Sequence, residues 1–145
     1  MTKTCELTVT TDASRFDVDG IHRFLARSYW AAGIPRAVVE RAIRNSLCFG
    51  AFEGERQVGF ARVITDRATY AYVSDVFVLE RARGRGVGKR LMEAIMTHPD
   101  LQGLRRWNLF TRDAHGLYRQ YGFGEPRHPD RLMEVFDDRP YGVGT

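Results

Sequence analysis

Apolar residues recur along the chain with two different spacings, which separate predicted strands from predicted helices. Alternation or short apolar runs predict strands at 5–10, 47–53, 57–65, 69–79, 106–111 and 132–136. Apolar positions three and four apart predict helices from residue 17 or 19 to about 32, from 35 to 45, from the high 80s to 97 or 98, and over 113–120. Gly33 should end the first helix. Short turns, one containing Gly54, join the second, third and fourth strands, so an antiparallel meander is expected.

One predicted strand contains a polar interruption and is followed by a basic, glycine-rich loop. Ser74 and Asp75 stand where their neighbours are apolar, which is typical either of a bulge or splayed position where a ligand enters, or of a solvated edge. After the strand, three glycines alternate with arginines between 81 and 88, and a helical pattern follows. Glycine backbone can approach a ligand closely, and unpaired N–H groups at a helix start attract anions. Strand, basic loop and helix together predict a phosphate-binding site.

The spacing of the glycines excludes two common phosphate-binding motifs. A P-loop requires Gly-Lys-Ser/Thr, but Gly88-Lys89 is followed by Arg90, and Arg83 stands where the first glycine is needed. A dinucleotide fingerprint read from Gly84 places its last glycine at Lys89. The ligand is therefore expected to be of another class.

The spacing that fits is Arg83-x-x-Gly86-x-Gly88, which resembles the Arg/Gln-x-x-Gly-x-Gly/Ala signature of the GNAT superfamily of acyl-CoA-dependent N-acetyltransferases. A second segment resembles the family's Asn-x-x-Ala-x-x-Leu-Tyr-x-x-x-Gly-Phe pattern, with Thr111 in place of the usual Asn; the matching residues are Ala114, Leu117, Tyr118, Gly122 and Phe123. The two segments span 76–123, and the elements on either side suit the same fold. The resemblance implies one N-acetyltransferase domain over 1–145, with an α/β (α+β) mixed sheet that is predominantly antiparallel and flanked by helices.

The resemblance also assigns roles to residues of the strand, the loop and the late helix. In the family, the loop binds the coenzyme A pyrophosphate and the strand before it pairs with the pantetheine arm. Carried over by position, the residues that would bind acetyl-CoA are Val76, Phe77, Val78, Arg83, Gly84, Arg85, Gly86, Val87, Gly88 and Lys89. Tyr118 matches the family's general acid, and a phenol with a reference pKa of ~10 stays protonated at neutral pH.

The general base and the acceptor site are less specified by the sequence. Asp75 is the first candidate base, with a water chain as the alternative, because an ordinary Asp is charged at pH 7 and could simply attract an ammonium group. Candidate acceptor walls are Tyr29, Trp30 and Tyr72, although Tyr29 and Trp30 could instead be packing residues. His115 lies three positions before Tyr118 and could share its helical face. The remaining histidines lack metal-ligand spacing, so no metal is expected.

Composition and charge narrow the function classes further. The chain of 145 residues suits one domain, and five of its 22 Lys and Arg residues fall between 81 and 90, so the excess charge lies on the glycine loop. A basic, aromatic-rich helical face and a zinc-finger spacing are lacking, which argues against a nucleic-acid partner. The sequence has no apolar stretch of membrane-spanning length, so a cytoplasmic protein with no membrane partner is expected. Cys5 and Cys48 are expected to be buried free thiols.

Three functional readings follow from the sequence. The favoured one is direct transfer of acetyl from acetyl-CoA, in a ternary complex, to a primary amine of a small molecule or a protein. The second is a CoA-binding sensor or inactive module of the same fold. The third is a basic nucleic-acid-associated protein. The acceptor and the oligomeric state are left open, with a homodimer as one alternative.

Overall fold

The computed structural model describes residues 6–142, which form a five-stranded sheet with helices on both faces. The strands are β1 Leu7–Thr10, β2 Leu47–Glu53, β3 Arg56–Thr65, β4 Tyr70–Val78 and β5 Arg106–Leu109. The helices are α1 Val18–Ala26, α2 Arg36–Arg44, α3 Val87–Thr97 and α4 His115–Arg119. Within the described part of the chain, no helix is long and apolar enough to cross a membrane.

The sheet has the mixed, mainly antiparallel topology that the sequence predicts. Its strand order is β1-β2-β3-β4-β5, in which the first four strands are antiparallel and β5 is parallel to β4. Gly54 has φ 62° in the turn between β2 and β3, a conformation that glycine adopts without strain. The antiparallel meander is thus confirmed, and the one parallel pair brings β5 to the end of the sheet.

Two apolar clusters hold the helices on opposite faces of the sheet. On one face, the buried side of α3 packs with strand residues such as Phe49 and Val63. On the other face, α1 and α2 pack over Phe52, Phe60 and Phe77, and Phe24 stacks on Phe77 with ring centroids 4.0 Å apart. Since burial of large apolar side chains is the dominant favourable term in folding, these clusters fix the helices that carry the site.

Helix α1 ends at Ala26, well before the predicted residue 32. Ser28 explains the early end because its hydroxyl donates to the Leu25 carbonyl at 2.7 Å and accepts from the Ala31 N–H at 3.0 Å. Such side-chain bonds compete with continued helix. Gly33, with φ 76°, then donates its N–H to the Ala26 carbonyl. The residues after α1 therefore form a turn that precedes α2.

The predicted strand at 132–136 is wrong for the described chain. A 3-10 turn covers Pro129–Arg131, and the backbone at Leu132 is extended, but the segment pairs with no strand among residues 6–142. The sequence pattern predicts an extended backbone, whereas a strand also needs a partner for its N–H and C=O groups.

Elsewhere β5 and α4 are each shorter than predicted, and Cys5 lies outside the described residues.

The polar interruption in β4 is a buried bulge. Asp75 has φ 53°, and the β3–β4 register shifts between Phe60 and Arg62. The Asp75 carboxylate, 8% exposed, accepts from Arg62 Nε at 2.8 Å and from the indole N–H of Trp30 at 2.8 Å. Arg62 also donates to the Ser46 hydroxyl at 3.2 Å. The bulge prediction is confirmed and the solvated-edge alternative is wrong.

Arg62→Met should lower the free energy of unfolding by about 2–4 kcal/mol, because it leaves the buried Asp75 carboxylate without its counter-charge. Arg67→Met is the matched control, since Arg67 pairs with Asp100 where both side chains are half-exposed, and a loss below about 1 kcal/mol is expected. Urea unfolding monitored by circular dichroism measures both values. Equal losses in the two variants would contradict this account of the bulge.

Gly59 allows the start of α3 to lie directly on the backbone of β3. A Cβ at this position would lie 2.9 Å from Val87 Cγ1, 3.2 Å from Leu91 Cδ1 and 3.2 Å from the Phe77 carbonyl oxygen. Val87 and Leu91 are buried in the core, so neither can move aside freely. The close approach sets the height of α3, and of the loop before it, above the sheet.

Gly59→Ala should therefore destabilise the protein by about 1–3 kcal/mol through overpacking. Gly116→Ala is the control, because a Cβ there meets nothing within 4 Å and alanine favours the helical conformation of α4. The control should unfold at the parental urea concentration or slightly above it. A Gly59 variant as stable as the control would show that α3 adjusts without cost.

Candidate functional site

Strand β5 pairs with β4 along all four of its residues and then ends, while β4 continues beyond it. Their pairing runs from Tyr70 with Arg106 to Val73 with Leu109, and β4 continues to Val78 against β3 alone. The Leu79 N–H donates to the Val58 carbonyl at 2.8 Å, so by antiparallel alternation the backbone of Val78 faces the open side. The exposed edge at 76–78 can therefore pair with an extended ligand.

The glycine loop presents an uncapped helix start beside this open edge. Gly84 and Gly86 have φ 81° and 76°, and Gly86 occupies the N-cap of α3 with no side chain to accept from the helix. The first N–H groups of α3 have no partners within the helix, and its dipole is positive at this end. The loop thus has the geometry of an anion site that its sequence predicts.

The two loop arginines are held in different ways. Arg85 forms an ion pair with Glu53 at 2.8 Å and donates to the Arg81 carbonyl at 3.1 Å, which fastens the loop to the β2–β3 hairpin. Arg83 makes a weaker contact, from its Nε to the Val78 carbonyl at 3.3 Å. The geometry indicates that Arg85 shapes the loop, while Arg83 is better placed to exchange its contact for a ligand phosphate.

A cavity of about 710 Å³ lies between α1 and the end of β4. Phe24, Trp30 and Phe77 form part of its apolar wall, and the cavity reaches the loop at Arg83 without extending to 84–89. Its rim carries more cations than anions; the cationic residues are Arg23, Arg27, Arg81, Arg83 and Arg112, and the acidic ones are Asp17 and Glu80. A cavity with a partly apolar wall and an excess of arginines suits a ligand that has an extended uncharged arm and a polyanionic end.

Three of these rim arginines were missed by the sequence reasoning. Arg23 and Arg27 lie four positions apart, a spacing that places them on one side of a helix and that was available as a signal. Arg112 follows β5 without any local pattern, and only the fold brings it to the cavity. The sequence motif therefore identifies only some of the cations around this cavity.

Tyr118 lies in α4 with its side chain buried. Its ring contacts Phe123 edge-on, with centroids 6.1 Å apart. Burial raises the pKa of the Tyr118 phenol, and the nearby Tyr29 and Asp113 raise it further, so the hydroxyl stays protonated at neutral pH. Thr111 accepts from the Ala114 N–H at 2.9 Å, so its hydroxyl still stabilises the turn before α4 despite the departure from Asn.

The structure brings Asp75, Trp30, Tyr29 and Tyr118 to one region. Trp30 bonds to Asp75 and contacts Tyr29 edge-on at 5.1 Å, while the Arg112 guanidinium lies 3.9 Å from the centre of the Tyr29 ring. Tyr29 and Trp30 are about half-exposed and line the cavity, so they are not core residues, and their part in binding an acceptor stays a prediction. They form a polar-edged aromatic wall at the open end of the sheet.

Two other candidates lie apart from this wall. Tyr72 faces Phe110 at 6.0 Å on the sheet surface and does not line the cavity; burial is the main cause that raises its pKa. His115 is exposed at the first turn of α4, whereas Tyr118 is buried, so the shared face does not form.

Cys48 is buried as expected, and burial raises its pKa to about 12, which keeps it an unreactive thiol.

Comparison with known proteins agrees with this geometry. Residues 44–125 match the family described as Acetyltransferase (GNAT) domain. A candidate acetyltransferase of Gibberella zeae is 32% identical, with 88% of this chain and 84% of that protein aligned. The mouse N-alpha-acetyltransferase 80 is 38% identical over 73 residues, which cover 48% of this chain but 23% of that protein.

A solved structure supports the same assignment over the whole fold. The crystal structure of a candidate GNAT-family acetyltransferase from Xanthomonas campestris pv. campestris is 54% identical, covers 97% of this chain and 100% of its own, and superposes with a TM-score of 0.93. The family match spans β4, the glycine loop and α4, while the side of the cavity formed by α1 and the turn after it lies outside the matched residues. The chain therefore belongs to the GNAT family of acetyltransferases.

Proposed function

We propose that this chain transfers an acetyl group from acetyl-CoA directly to a primary amine of a small molecule or a protein within a ternary complex. The observation that carries the proposal is the open edge of β4 at 76–78, which adjoins both the cavity and the uncapped start of α3. One ligand with an extended arm and a pyrophosphate would contact the β4 edge, the cavity and the start of α3.

The test is release of free thiol from acetyl-CoA across a panel of amines. Binding of acetyl-CoA without turnover on any amine would instead favour a CoA-binding sensor.

The fit to acetyl-CoA follows from the backbone rather than from side-chain charge alone. A Cβ at Gly84 or Gly86 would meet nothing within 4 Å, so the surface over the loop is open to an approaching phosphate. The N–H groups of Val87, Gly88 and Lys89 start α3 and would bind the pyrophosphate, and Arg83 would neutralise part of its charge. The outward N–H and C=O of Val78 would pair with the pantetheine arm once Arg83 releases that carbonyl.

Acetyl-CoA supplies a thioester, and the residues around the opening would supply the remaining requirements of acyl transfer. An outward N–H of the splayed strand would stabilise the tetrahedral oxyanion. The Tyr118 hydroxyl, kept protonated by burial, would donate its proton to the departing thiolate. Together these groups act on the charges that develop as the amine replaces sulfur at the carbonyl carbon.

Asp75 is proposed to handle the acceptor amine by its charge, with water as the immediate proton acceptor. Both carboxylate oxygens already accept hydrogen bonds, one from Trp30 and one from Arg62, so the group is a fixed anion rather than a freely turning base. The half-exposed Tyr29 and Trp30 would form the wall against which the acceptor lies. Tyr72 and His115 would contact only an acceptor that extends beyond this wall.

Gly86→Glu should weaken CoA binding at least about thirtyfold, because it places a carboxylate and a Cβ where the pyrophosphate is proposed to bind. Gly103→Glu is the matched control: Gly103 has φ 73°, close to the 76° of Gly86, and also has nothing within 4 Å of an added Cβ. The control therefore carries the same backbone strain away from the cavity, and its affinity should stay within about threefold of the parent. Isothermal titration calorimetry with CoA measures both, and equal affinities would exclude the loop as the pyrophosphate site.

Tyr118→Phe should lower the chemistry-limited rate by about ten- to a thousandfold with little change in CoA affinity, since it removes only the proposed proton donor. Tyr121→Phe is the control, because the partly buried Tyr121 ring lies about one turn further on and its hydroxyl donates to the Lys89 carbonyl at 3.2 Å. Single-turnover kinetics at matched melting temperatures separate the two. A rate within twofold of the parent for Tyr118→Phe would remove this phenol from the mechanism.

A further inference from the structure

The cavity beside α1 carries more positive charge than the proposed coenzyme site accounts for. Five arginines and two acids line it, and one of the acids, Asp17, already caps α1 by accepting from the Gly20 N–H at 3.0 Å. The CoA pyrophosphate is proposed to bind at the start of α3, which packs on the opposite face of the sheet from α1. The arginines on the α1 side of the cavity are therefore available for a second anionic group.

Helix α1 runs alongside the second half of β4 in the opposite direction. Phe24 stacks on Phe77, and Trp30, further along the chain, donates to Asp75, so the chain passes from the open edge toward the bulge. Arg27 lies between these two contacts in the sequence and lines the cavity. Its place is therefore between the proposed pantetheine edge and the carboxylate that is proposed to handle the acceptor amine.

A second arginine reaches the same region from the other end of the sheet. Arg112 follows β5, and its guanidinium lies 3.9 Å from the centre of the Tyr29 ring. Tyr29 stands two residues after Arg27 and contacts Trp30 edge-on. Arg27 and Arg112 thus come from two distant parts of the chain to the aromatic wall formed by Tyr29 and Trp30.

Neither arginine has a strong partner of its own. Arg27 forms no ion pair among residues 6–142. Arg112 lies 3.7 Å from Asp113, but both side chains are more than half-exposed, and such a pair contributes little. Unpaired arginines are common on protein surfaces, whereas these two line one cavity beside the same wall. A guanidinium in that position can bind a carboxylate through two parallel hydrogen bonds.

We propose that the acceptor is a primary amine that also carries a carboxylate, and that Arg27 and Arg112 bind this carboxylate while the amine lies toward Asp75. The inference names the substrate class of the proposed acetyl transfer and rests on that function. The positive and negative ends of the cavity region would orient the two ends of the acceptor, and its carbon chain would lie on the aromatic wall. A neutral amine of the same length would lack one of these contacts.

The reaction itself changes the charge of such an acceptor. The amine nitrogen bonds to the thioester carbonyl carbon, the carbon–sulfur bond breaks, and in sum one proton passes from nitrogen to sulfur. The ammonium group thus becomes a neutral amide, and the product keeps only its carboxylate. The attraction to Asp75 is then lost while the pairing with Arg27 and Arg112 remains, so these arginines should bind substrate and product alike.

The test measures thiol release from saturating acetyl-CoA with amino carboxylates of two to six carbons and with the amino alcohols of the same lengths. The best amino carboxylate should exceed its amino alcohol in kcat/KM by at least about tenfold. Arg27→Gln and Arg112→Gln should each remove most of this preference, chiefly through the KM for the amine, and should leave the KM for acetyl-CoA within about twofold. Arg27→Glu should reverse the preference, so that a diamine of the same length becomes the better acceptor.

The same chemistry could also be presented by a peptide that begins with an acidic residue. Peptides that begin with glutamate, compared with the same peptides beginning with glutamine, distinguish this source from a free amino carboxylate. A preference for the acid that depends on Arg27 and Arg112 in either series supports the proposal.

Arg44→Gln is the matched control for Arg27→Gln. Arg44 is exposed at the end of α2, so the change removes the same charge from the end of the neighbouring helix, and Arg44 does not line the cavity. Its kcat/KM for amino carboxylates and for amino alcohols should stay within about twofold of the parent. Matched melting temperatures of the two variants would separate lost recognition from lost folding.

Failure of this inference is distinguishable from failure of the proposed acetyl transfer. Equal turnover of amino carboxylates and amino alcohols would overturn the inference and leave acetyl transfer standing. If no amine releases thiol, acetyl transfer fails, and calorimetry with the amino carboxylates in the presence of CoA decides the inference: binding that weakens at least tenfold in Arg27→Gln supports the carboxylate site, and no binding overturns it. A tenfold loss of CoA affinity in Arg27→Gln would assign this arginine to the coenzyme and would also overturn the inference.

Discussion

The stretch of β4 that continues beyond the end of β5 is the feature on which the candidate site depends, and one buried carboxylate stabilises the bulge in that stretch. Asp75 adopts a left-handed backbone conformation that costs energy for any residue other than glycine. Its ion pair with Arg62 and its bond from Trp30 offset that cost. Since β5 ends at Leu109, opposite Val73, the edge of β4 at 76–78 has no neighbouring strand among residues 6–142 and stays open.

The glycine loop is positioned by contacts below it and beside it. Below, the missing side chain of Gly59 sets the distance between α3 and the sheet. Beside it, Arg85 joins the loop to Glu53 of the β2–β3 hairpin. The N–H groups at the start of α3 are thus fixed by packing and an ion pair that are present in the chain by itself, so little ordering would remain for a ligand to induce.

The sequence predicted the elements that local pattern controls and missed those that depend on partners. The meander, the turn at Gly54, the bulge and the loop-helix start all have signals within a few residues. The sequence predicted too long a helix α1. The Ser28 hydroxyl competes with the helical backbone for hydrogen-bond partners, and hydrophobic periodicity does not reveal that competition. The strand at 132–136 was assigned from composition, but pairing is a property of the whole fold or of an assembly. Arg112 reaches the cavity only through topology, so no motif could have named it.

The carboxylate at the bulge also links parts of the chain that are distant in sequence. Trp30 comes from the turn after α1, Ser46 from the residue before β2, Arg62 from β3 and Asp75 from β4, and they meet in one network of hydrogen bonds. A change at one position leaves the others with unsatisfied groups, so these positions are not free to vary independently. A change of the cavity wall at Trp30 must therefore proceed through coupled substitutions, which restricts the routes by which this part of the fold can evolve.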